Sequence, residues 1–202
     1  MNIYNQFLTE DKLSRGYMRY VAIFALIVIP LYTYLFATKE SPFYYTMSMI
    51  GNTPEYRWAF IIWGAVTAVL ISFYVYRLYV LKAFRNRKAN KLLIASLVFL
   101  VLTVIIPAVE AMPFLKQLHA VVAVFFALSL TASLYLFIRY LAAIDEDISI
   151  RSTWMLLAIL GISIGLYFIL GNTGIFELFF FFSLSVFLLL LKKWLRPYQQ
   201  HL

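Results

Sequence analysis

Three side chains in this sequence are of the types that perform acid–base and nucleophilic chemistry: His119, Glu177 and Ser48. A histidine can act as a general base toward a hydroxyl group or a water molecule, and a carboxylate can orient the imidazole. In that scheme His119 is the base, Ser48 or an activated water is the nucleophile, and Glu177 or Glu110 orients the ring. The chemistry predicted is attack on a lipid or on a lipid-linked substrate.

Residues of a second kind could bind such a substrate, and they are Arg57, Asn52, Glu110 and Tyr44. Arg57 and Asn52 would hold a headgroup phosphate or an oxyanion, because guanidinium and amide groups donate several hydrogen bonds. Arg57 is also expected to form an ion pair, with Glu55 or with Glu177.

The same side chains have structural explanations as well. His119 would be an interfacial, hydrogen-bonded residue at a helix start, and Glu177 a carboxylate stabilised by a helix N-terminus. Glu110 would be a solvated carboxylate paired with Lys116. One histidine with two carboxylates also resembles a metal triad, but the chain contains neither an HxxxH nor an HExxH spacing and has no cysteine. The sequence therefore predicts no metal and no cofactor.

The composition indicates which solvent surrounds these residues. Of the 202 residues, 64% are hydrophobic and only 13% are charged, and the mean hydropathy is +0.86. A water-soluble fold of this size cannot hide so much apolar surface, so the bilayer must act as solvent. The net charge of +8 would suggest nucleic-acid binding in a soluble protein. Here the cations fall between apolar stretches, so we expect no nucleic-acid partner. We also expect no removed signal peptide.

Apolar stretches long enough to cross a bilayer set the predicted architecture. A spanning helix needs roughly 20 mostly apolar residues, and six stretches fit, at about 17–36, 58–81, 92–109, 118–141, 154–170 and 175–191. The sequence thus predicts an all-α polytopic membrane protein, a bundle of six transmembrane helices in a single domain over 1–202. An outer loop at 37–56 and a basic loop at 82–91 are its longest connections.

Glycines and prolines refine this outline. The run Gly171-Asn172-Thr173-Gly174 predicts a tight turn between the last two spans. Pro30 and Pro107 lie inside predicted spans, so each is expected to kink its helix. Gly161 and Gly165 form a GxxxG motif, which lets another helix approach closely, and we expect them to pack inside the bundle.

Lysine and arginine placement predicts the orientation. Fourteen of these residues fall on the side of the chain termini and three on the other, and the side with excess Lys and Arg faces the cytoplasm. Both termini are therefore predicted to be cytoplasmic, in what we expect to be a bacterial plasma membrane. Residues 2–15 are consistent with a short interfacial helix.

The candidate residues all map to the outer side of the membrane. At 1.5 Å rise per residue, Glu110 and His119 lie about 28–30 Å from cationic residues at the opposite helix ends. Within the outer loop, Tyr44, Ser48 and Asn52 share one face of a short helix. Phe43, Met47 and Ile50 lie on its apolar face. We expect this helix to lie on the outer leaflet and to end at Gly51.

The centres of the predicted spans contain hydroxyl groups but no ionisable side chain. Proton relays and ion pathways need titratable or charged groups across the membrane. An ion-coupled pump or transporter is therefore disfavoured.

Several short segments resemble a known family. They are Ser48-Met-Ile-Gly51-Asn52-Thr53-Pro54-Glu55, Phe60-Ile-Ile-Trp-Gly64, His119 with Phe125-Phe126, and Gly174-Ile-Phe-Glu177. Together they resemble the bacterial six-span family called domain of unknown function 998. A more remote similarity runs to the DRAM and Frag1-type eukaryotic membrane proteins. The bacterial resemblance implies a six-span fold without an established activity, and the eukaryotic one implies lipid-anchor remodelling or a scaffold role.

Two functional hypotheses follow. In the first, the protein handles a lipid or lipid-linked substrate at a polar pocket in the extracytoplasmic leaflet, either as an enzyme or by binding alone. In the second, it is a non-enzymatic accessory subunit, scaffold or immunity-type membrane protein, and its polar cluster ties the outer loop to the bundle. Membrane lipids are the expected partners. The sequence leaves protein partners and oligomeric state open.

Overall fold

The structure is a computed structural model that describes Tyr17 and residues 19–195. The described part is helical and contains six helices that are long and apolar enough to cross a membrane, which confirms the all-α six-helix prediction. In chain order the helices are α1 (Arg19–Ala37), the short α2 (Met47–Gly51), α3 (Arg57–Leu81), α4 (Arg87–Ile105), α5 (Pro113–Leu141), α6 (Glu146–Leu170) and α7 (Gly174–Trp194). The predicted interfacial helix over 2–15 lies outside the described residues.

Two helices begin well before their apolar stretches because a polar side chain caps them. The Asn86 side chain accepts hydrogen bonds from the backbone N–H groups of Lys88 and Ala89, so α4 begins in the basic loop. The Asp145 side chain accepts from the N–H of Ile148 and starts α6. Such caps satisfy amide groups that have no partner within the helix. Both helices therefore extend beyond the hydrophobic spans on which the predicted bounds were based.

Prolines act differently in the two places where kinks were expected. In α1 the segment Phe24–Val28 is π-helical and the N–H of Ile29 bonds to the carbonyl of Phe24, a local widening that breaks the regular ladder just before Pro30. Pro107 lies beyond the end of α4, so the prediction that it kinks a span is wrong. The residue before a proline disfavours the helical region, and Ile106 is accordingly extended.

The turn between α6 and α7 is as predicted. Helix α6 ends at Leu170 and α7 begins at Gly174. Gly171 has a φ of +74°, in the left-handed region that glycine adopts without steric cost. The two apolar stretches are therefore two antiparallel helices and not one long one.

Helix α7 lies centrally in the bundle. It contacts α1 and α6, its Phe181 ring packs on Trp63 of α3 and on Phe126 of α5, and α3, α4 and α5 pack side by side. Helix α6 is peripheral and touches mainly α5 and α7. Among the described residues, no atom from outside the local helix backbone lies within 4 Å of the position of a Cβ on Gly161 or Gly165 of α6. The expectation that this GxxxG packs inside the bundle is therefore wrong.

The predicted outer-loop helix exists as α2 and ends at Gly51, as expected, but it begins at Met47, so the prediction that Tyr44 lies on this helix is wrong. Its position differs from the prediction, however. Met47 and Ile50 are buried in an apolar cluster with Phe36, Phe60 and other bundle residues, and Phe43 is exposed. Helix α2 therefore lies against the end of the bundle, where its apolar side chains find protein partners.

Candidate functional site

The two ends of the bundle differ in their connections. The loop end carries segment 38–56 together with the starts of α3, α5 and α7 and the ends of α1, α4 and α6. The basic end carries the connection between α3 and α4. His119, Glu177, Arg57, Ser48 and Asn52 all lie at the loop end.

Glu177, in the first turn of α7, reaches the outer loop. Its Oε2 atom accepts a hydrogen bond of 2.6 Å from the backbone N–H of Met47, the first residue of α2. A carboxylate is favoured in this place because unpaired N–H groups and the positive end of the helix dipole point toward it. Glu177 thus holds the start of α2 from a position 130 residues away in the sequence.

The start of α7 is held in return by the loop. The backbone N–H of Gly174 donates to the carbonyl of Tyr45 at 3.1 Å, and that of Ile175 donates to the carbonyl of Pro42 at 3.2 Å. A Cβ on Gly174 would lie 2.6 Å from the Tyr45 oxygen, so this close approach requires glycine. The hydroxyl of Thr173, just before α7, is buried without a hydrogen-bond partner in the described part of the chain. Loop carbonyls therefore cap α7.

Two hydroxyl side chains cap the start of helix α2. Thr46 Oγ1 accepts from the N–H of Met49 at 3.1 Å and lies 3.0 Å from Ser48 Oγ. Both Thr46 and Ser48 are buried. The Ser48 hydroxyl thus belongs to the cap of its own helix, as hydroxyl groups at helix starts commonly do.

Arg57 connects α2 to the end of α4. Its Nη1 donates to Asn52 Oδ1 at 2.9 Å, its Nη2 donates to the carbonyl of Ile105, and the Asn52 amide donates to the carbonyl of Ser48 at 2.6 Å. A cation is favoured at a helix C-terminus, where carbonyls lack partners inside the helix. The predicted ion pair of Arg57 with Glu55 or Glu177 is wrong, since its hydrogen bonds go to an amide oxygen and a backbone carbonyl.

His119 lies on α5 and bonds to the backbone at the same end of α4. Its Nδ1 lies 3.0 Å from the carbonyl of Ile106, and because a carbonyl only accepts, Nδ1 must carry the proton. The ring is buried, and the Arg57 guanidinium and the backbone of Thr103 are its further polar neighbours. Helix α4 ends just before Pro107. The carbonyls of Ile105 and Ile106 therefore have no partner within the helix, and Arg57 of α3 and His119 of α5 bond to them.

The remaining candidates lie on the surface. Glu110 forms an ion pair with Lys116, as expected, with its side chain 82% exposed. Tyr44 is 77% exposed in the outer loop. Nearby, the Lys39 ammonium lies 4.1 Å from the centre of the Tyr56 ring, and a hydrogen bond to Glu55 raises the pKa of Tyr56.

The catalytic arrangement considered from the sequence needs hydrogen bonds that differ from those observed. In the described residues no hydrogen bond joins His119 to Ser48, to Glu177 or to Glu110, and each bonds elsewhere. Within the same residues no group of three or more histidine, cysteine, aspartate or glutamate side chains could hold a metal ion. The hydrogen bonds of the loop end satisfy backbone N–H groups at the starts of α2 and α7 and backbone carbonyls at the end of α4.

Several residues of this network were missed by sequence reasoning. They are Thr46, the carbonyl groups of Pro42 and Tyr45, and those of Ile105 and Ile106. Thr46 carried a signal, since a threonine just before an apolar run is typical of a helix start. Pro107 carried another, since it predicts a helix end rather than a kink. The sequence contained no signal that pointed to the carbonyl groups of Pro42 and Tyr45.

Comparisons with known proteins add no relative. No protein-family model matches this chain, and comparison with curated proteins and with solved structures gives no match. The six helices that are long and apolar enough to cross a membrane identify the chain as an integral membrane protein.

Proposed function

We propose that this protein is a non-enzymatic membrane component, a scaffold or accessory subunit, in which the polar residues of the loop end fasten segment 38–56 onto the bundle. The observation that carries the proposal is the reciprocal capping of two helix starts. Glu177 of α7 binds the Met47 amide of α2, while Gly174 and Ile175 of α7 bind loop carbonyls.

The use of the polar groups supports this proposal over an enzyme. Six of the seven residues predicted for chemistry make side-chain hydrogen bonds within the fold; these are Ser48, Asn52, Arg57, Glu110, His119 and Glu177. A catalytic base needs its nucleophile within hydrogen-bond reach. Residues that satisfy the backbone groups of helix ends are explained by folding alone.

Lipid handling at the loop end is the competing proposal. The observation that favours it is the exposure of Phe43 and Tyr44, since aromatic side chains at a membrane interface contact lipid headgroups and upper acyl chains. Under either proposal we expect the loop end to lie on the extracytoplasmic side of a bacterial plasma membrane and both termini to be cytoplasmic; the excess of Lys and Arg on the side of the termini supports this orientation.

One pair of variants separates the two proposals. His119→Ala and Glu177→Ala are purified in detergent, and their melting temperatures and co-purifying lipids are measured, with Glu110→Ala as an exposed control. A structural role lowers both melting temperatures and leaves the lipid content unchanged. Site residues often cost little stability or even raise it when replaced. Unchanged melting with loss of bound lipid would therefore overturn the proposal in favour of lipid handling.

A further inference from the structure

Helix α6 packs on the rest of the bundle along one face. Its buried residues recur every three or four positions and so share that face; they are Ser149, Ser152, Leu156, Ile159 and Ser163. Within the most apolar 18 residues of each spanning helix, the buried share is 17% in α6 and 33–50% in the other five. The opposite face of α6 therefore has no partner in the described part of the chain.

The centre of that opposite face, called the α6 outer face below, follows a heptad pattern. Its residues are Asp147, Arg151, Trp154, Ala158, Gly161, Gly165 and Phe168. They are spaced alternately by four and three positions, which is the repeat of two helices that wind around each other. With 3.6 residues per turn, all of them fall within about 100° of the helix circumference, opposite the buried residues. All are exposed except Gly165, which is partly exposed.

The outer face is shaped to receive another helix. Ala158, Gly161 and Gly165 in its middle have a small side chain or none, whereas Trp154 and Phe168 lie one turn beyond them on either side. Small residues at successive positions of a helix face let two helix backbones approach closely in a membrane. A second helix therefore fits best across the middle of this face.

The two glycines of the outer face are not required by the fold of a single chain. A Cβ on Gly51 or on Gly64 would overlap a neighbouring side chain, one on Gly174 would meet the outer loop, and the glycine of the α6–α7 turn has a positive φ. Among the described glycines, only Gly161 and Gly165 have neither a close neighbour nor a positive φ. Glycine weakens a helix by about 1 kcal/mol relative to alanine, so an approach from outside the chain would explain both residues.

The charges of the outer face indicate what that partner is. Asp147 and Arg151 lie one turn apart at the start of α6, both are exposed, and neither forms an ion pair with another described residue. Copies of one chain in one membrane share their orientation, so two α6 helices related by a twofold axis run parallel. Successive positions of a heptad seam then contact each other across the pair. Asp147 of each copy therefore lies beside Arg151 of the other, and the face is complementary to itself.

We propose that the α6 outer face binds a second copy of this chain and that the protein is a symmetric dimer in the membrane. The two α6 helices cross with the left-handed winding of a heptad repeat, in closest contact at Ala158, Gly161 and Gly165. Two reciprocal pairs of Asp147 with Arg151 align the copies at the basic end. This inference is independent of the function proposed for the loop end, because the outer face includes none of the loop-end residues.

The test is disulfide cross-linking of the full chain in the membranes of cells that express it, with copper phenanthroline as oxidant. The chain has no cysteine, so a single introduced cysteine can cross-link only to that of a second copy. We expect Ala158→Cys to form a covalent dimer, because a disulfide needs two Cα atoms within about 7 Å.

Val98→Cys is the matched control for cross-links that arise from random collisions. Val98 is exposed on α4, 11 residues after the start of that helix, and Ala158 lies 12 residues after the start of α6. Both helices start at the basic end, so the two cysteines lie at similar depth. Ile164→Cys is the control on α6 itself, since Ile164 is exposed but lies outside the outer face. Both controls should remain at the collisional level.

Variants of the outer face, made in the Ala158→Cys protein, test what holds the copies together. Gly161→Leu separates the helices and should abolish the cross-link, whereas Gly161→Ala keeps a small residue and should retain it. Since no neighbouring group of the described chain lies within 4 Å of a Cβ at this position, neither change should lower the melting temperature of the monomer in detergent. That measurement separates loss of association from loss of folding.

Charge reversal tests the alignment of the two copies. D147R and R151D alone place like charges opposite each other and should each reduce the cross-linked fraction severalfold, while the exchange D147R/R151D should restore it. Equal cross-linking of Ala158→Cys and Val98→Cys, or undiminished cross-linking with Gly161→Leu, would overturn the proposal and leave the outer face to lipid or to a different protein. Failure of the exchange to restore cross-linking would overturn the assigned charge pairs.

Discussion

The carboxylate of Glu177 lies 2.6 Å from the backbone nitrogen of Met47, so the start of α7 and the start of α2 are joined by one side chain. The hydrogen bond connects the last spanning helix to the segment that follows the first one. Because this contact is partly buried, an amide or a carboxylate left unpaired there would lose hydration without a compensating hydrogen bond. The bond therefore fixes the outer loop in one place.

Replacing Glu177 tests this bond. Glu177→Ala removes the acceptor, and we expect a loss of about 2 kcal/mol in unfolding free energy, the usual value for a hydrogen bond to a charged group. Glu177→Gln keeps a carbonyl oxygen at the same position and should recover part of that loss. Thermal melting in detergent, followed by tryptophan fluorescence, measures both. Equal melting of the alanine variant and the unmodified protein would contradict the assignment.

Replacing Gly174 tests the other side of this contact, in which the backbone at the start of α7 bonds to loop carbonyls. In Gly174→Ala the new Cβ meets the Tyr45 carbonyl oxygen at 2.6 Å, so the loop must move, at a cost of about 2 kcal/mol. Gly161→Ala is the matched control, because in the described part of the chain no neighbouring group lies within 4 Å of its Cβ and alanine is the better helix former by up to about 1 kcal/mol. We expect the two variants to shift the melting temperature in opposite directions. A shift of the same sign and size in both would count against close packing at Gly174.

Replacing Arg57 by lysine should destabilise the protein. Its planar guanidinium bonds Asn52 and the Ile105 carbonyl at once, a geometry that a single ammonium group does not reproduce. Arg57→Lys should cost about 1–2 kcal/mol in unfolding free energy. The same replacement at the exposed Arg151 should leave stability unchanged. A neutral result at both positions would show that the bridge contributes nothing measurable.

Ala83 offers a stabilising change at the basic end. It has a φ of +52° and follows α3, where the N–H of Phe84 bonds back to the carbonyl of Tyr79 at 2.8 Å, the pattern of a Schellman motif. Glycine removes the steric cost of this conformation but loses more backbone entropy, which leaves a net gain of about 0.5–1 kcal/mol for Ala83→Gly.

Ala142 is the control for that change. It also lies at a helix end but has a φ of −58°, where glycine brings only its entropic cost. Ala142→Gly should lower the melting temperature, while Ala83→Gly should raise it. The reverse order would contradict the strain assigned to Ala83.

The spans were predictable because their signal is local. Apolar length gives the number of helices, and the glycines at 171 and 174 give the turn between α6 and α7. The starts of α4 and α6 were placed too late, because the bilayer-length criterion ignores the capped polar turns that begin at Asn86 and Asp145.

The partners of the polar residues were not predictable in the same way. Opposite charge suggested Glu55 or Glu177 for Arg57, whereas α4 ends within its reach and offers carbonyl groups. Which backbone groups lack partners depends on where helices end and which ends meet. The sequence located the residues of the loop end, but tertiary packing decides that they bond to backbone.

Hydrogen–deuterium exchange of the outer loop tests the central claim most directly. Peptides that cover α2 are followed in the unmodified protein, in Glu177→Ala and in the control Glu110→Ala. We expect the Met47 amide and its neighbours to be protected in the unmodified protein and the control, and to exchange faster in Glu177→Ala. Identical exchange in all three proteins would contradict the conclusion that Glu177 holds the outer loop on the bundle.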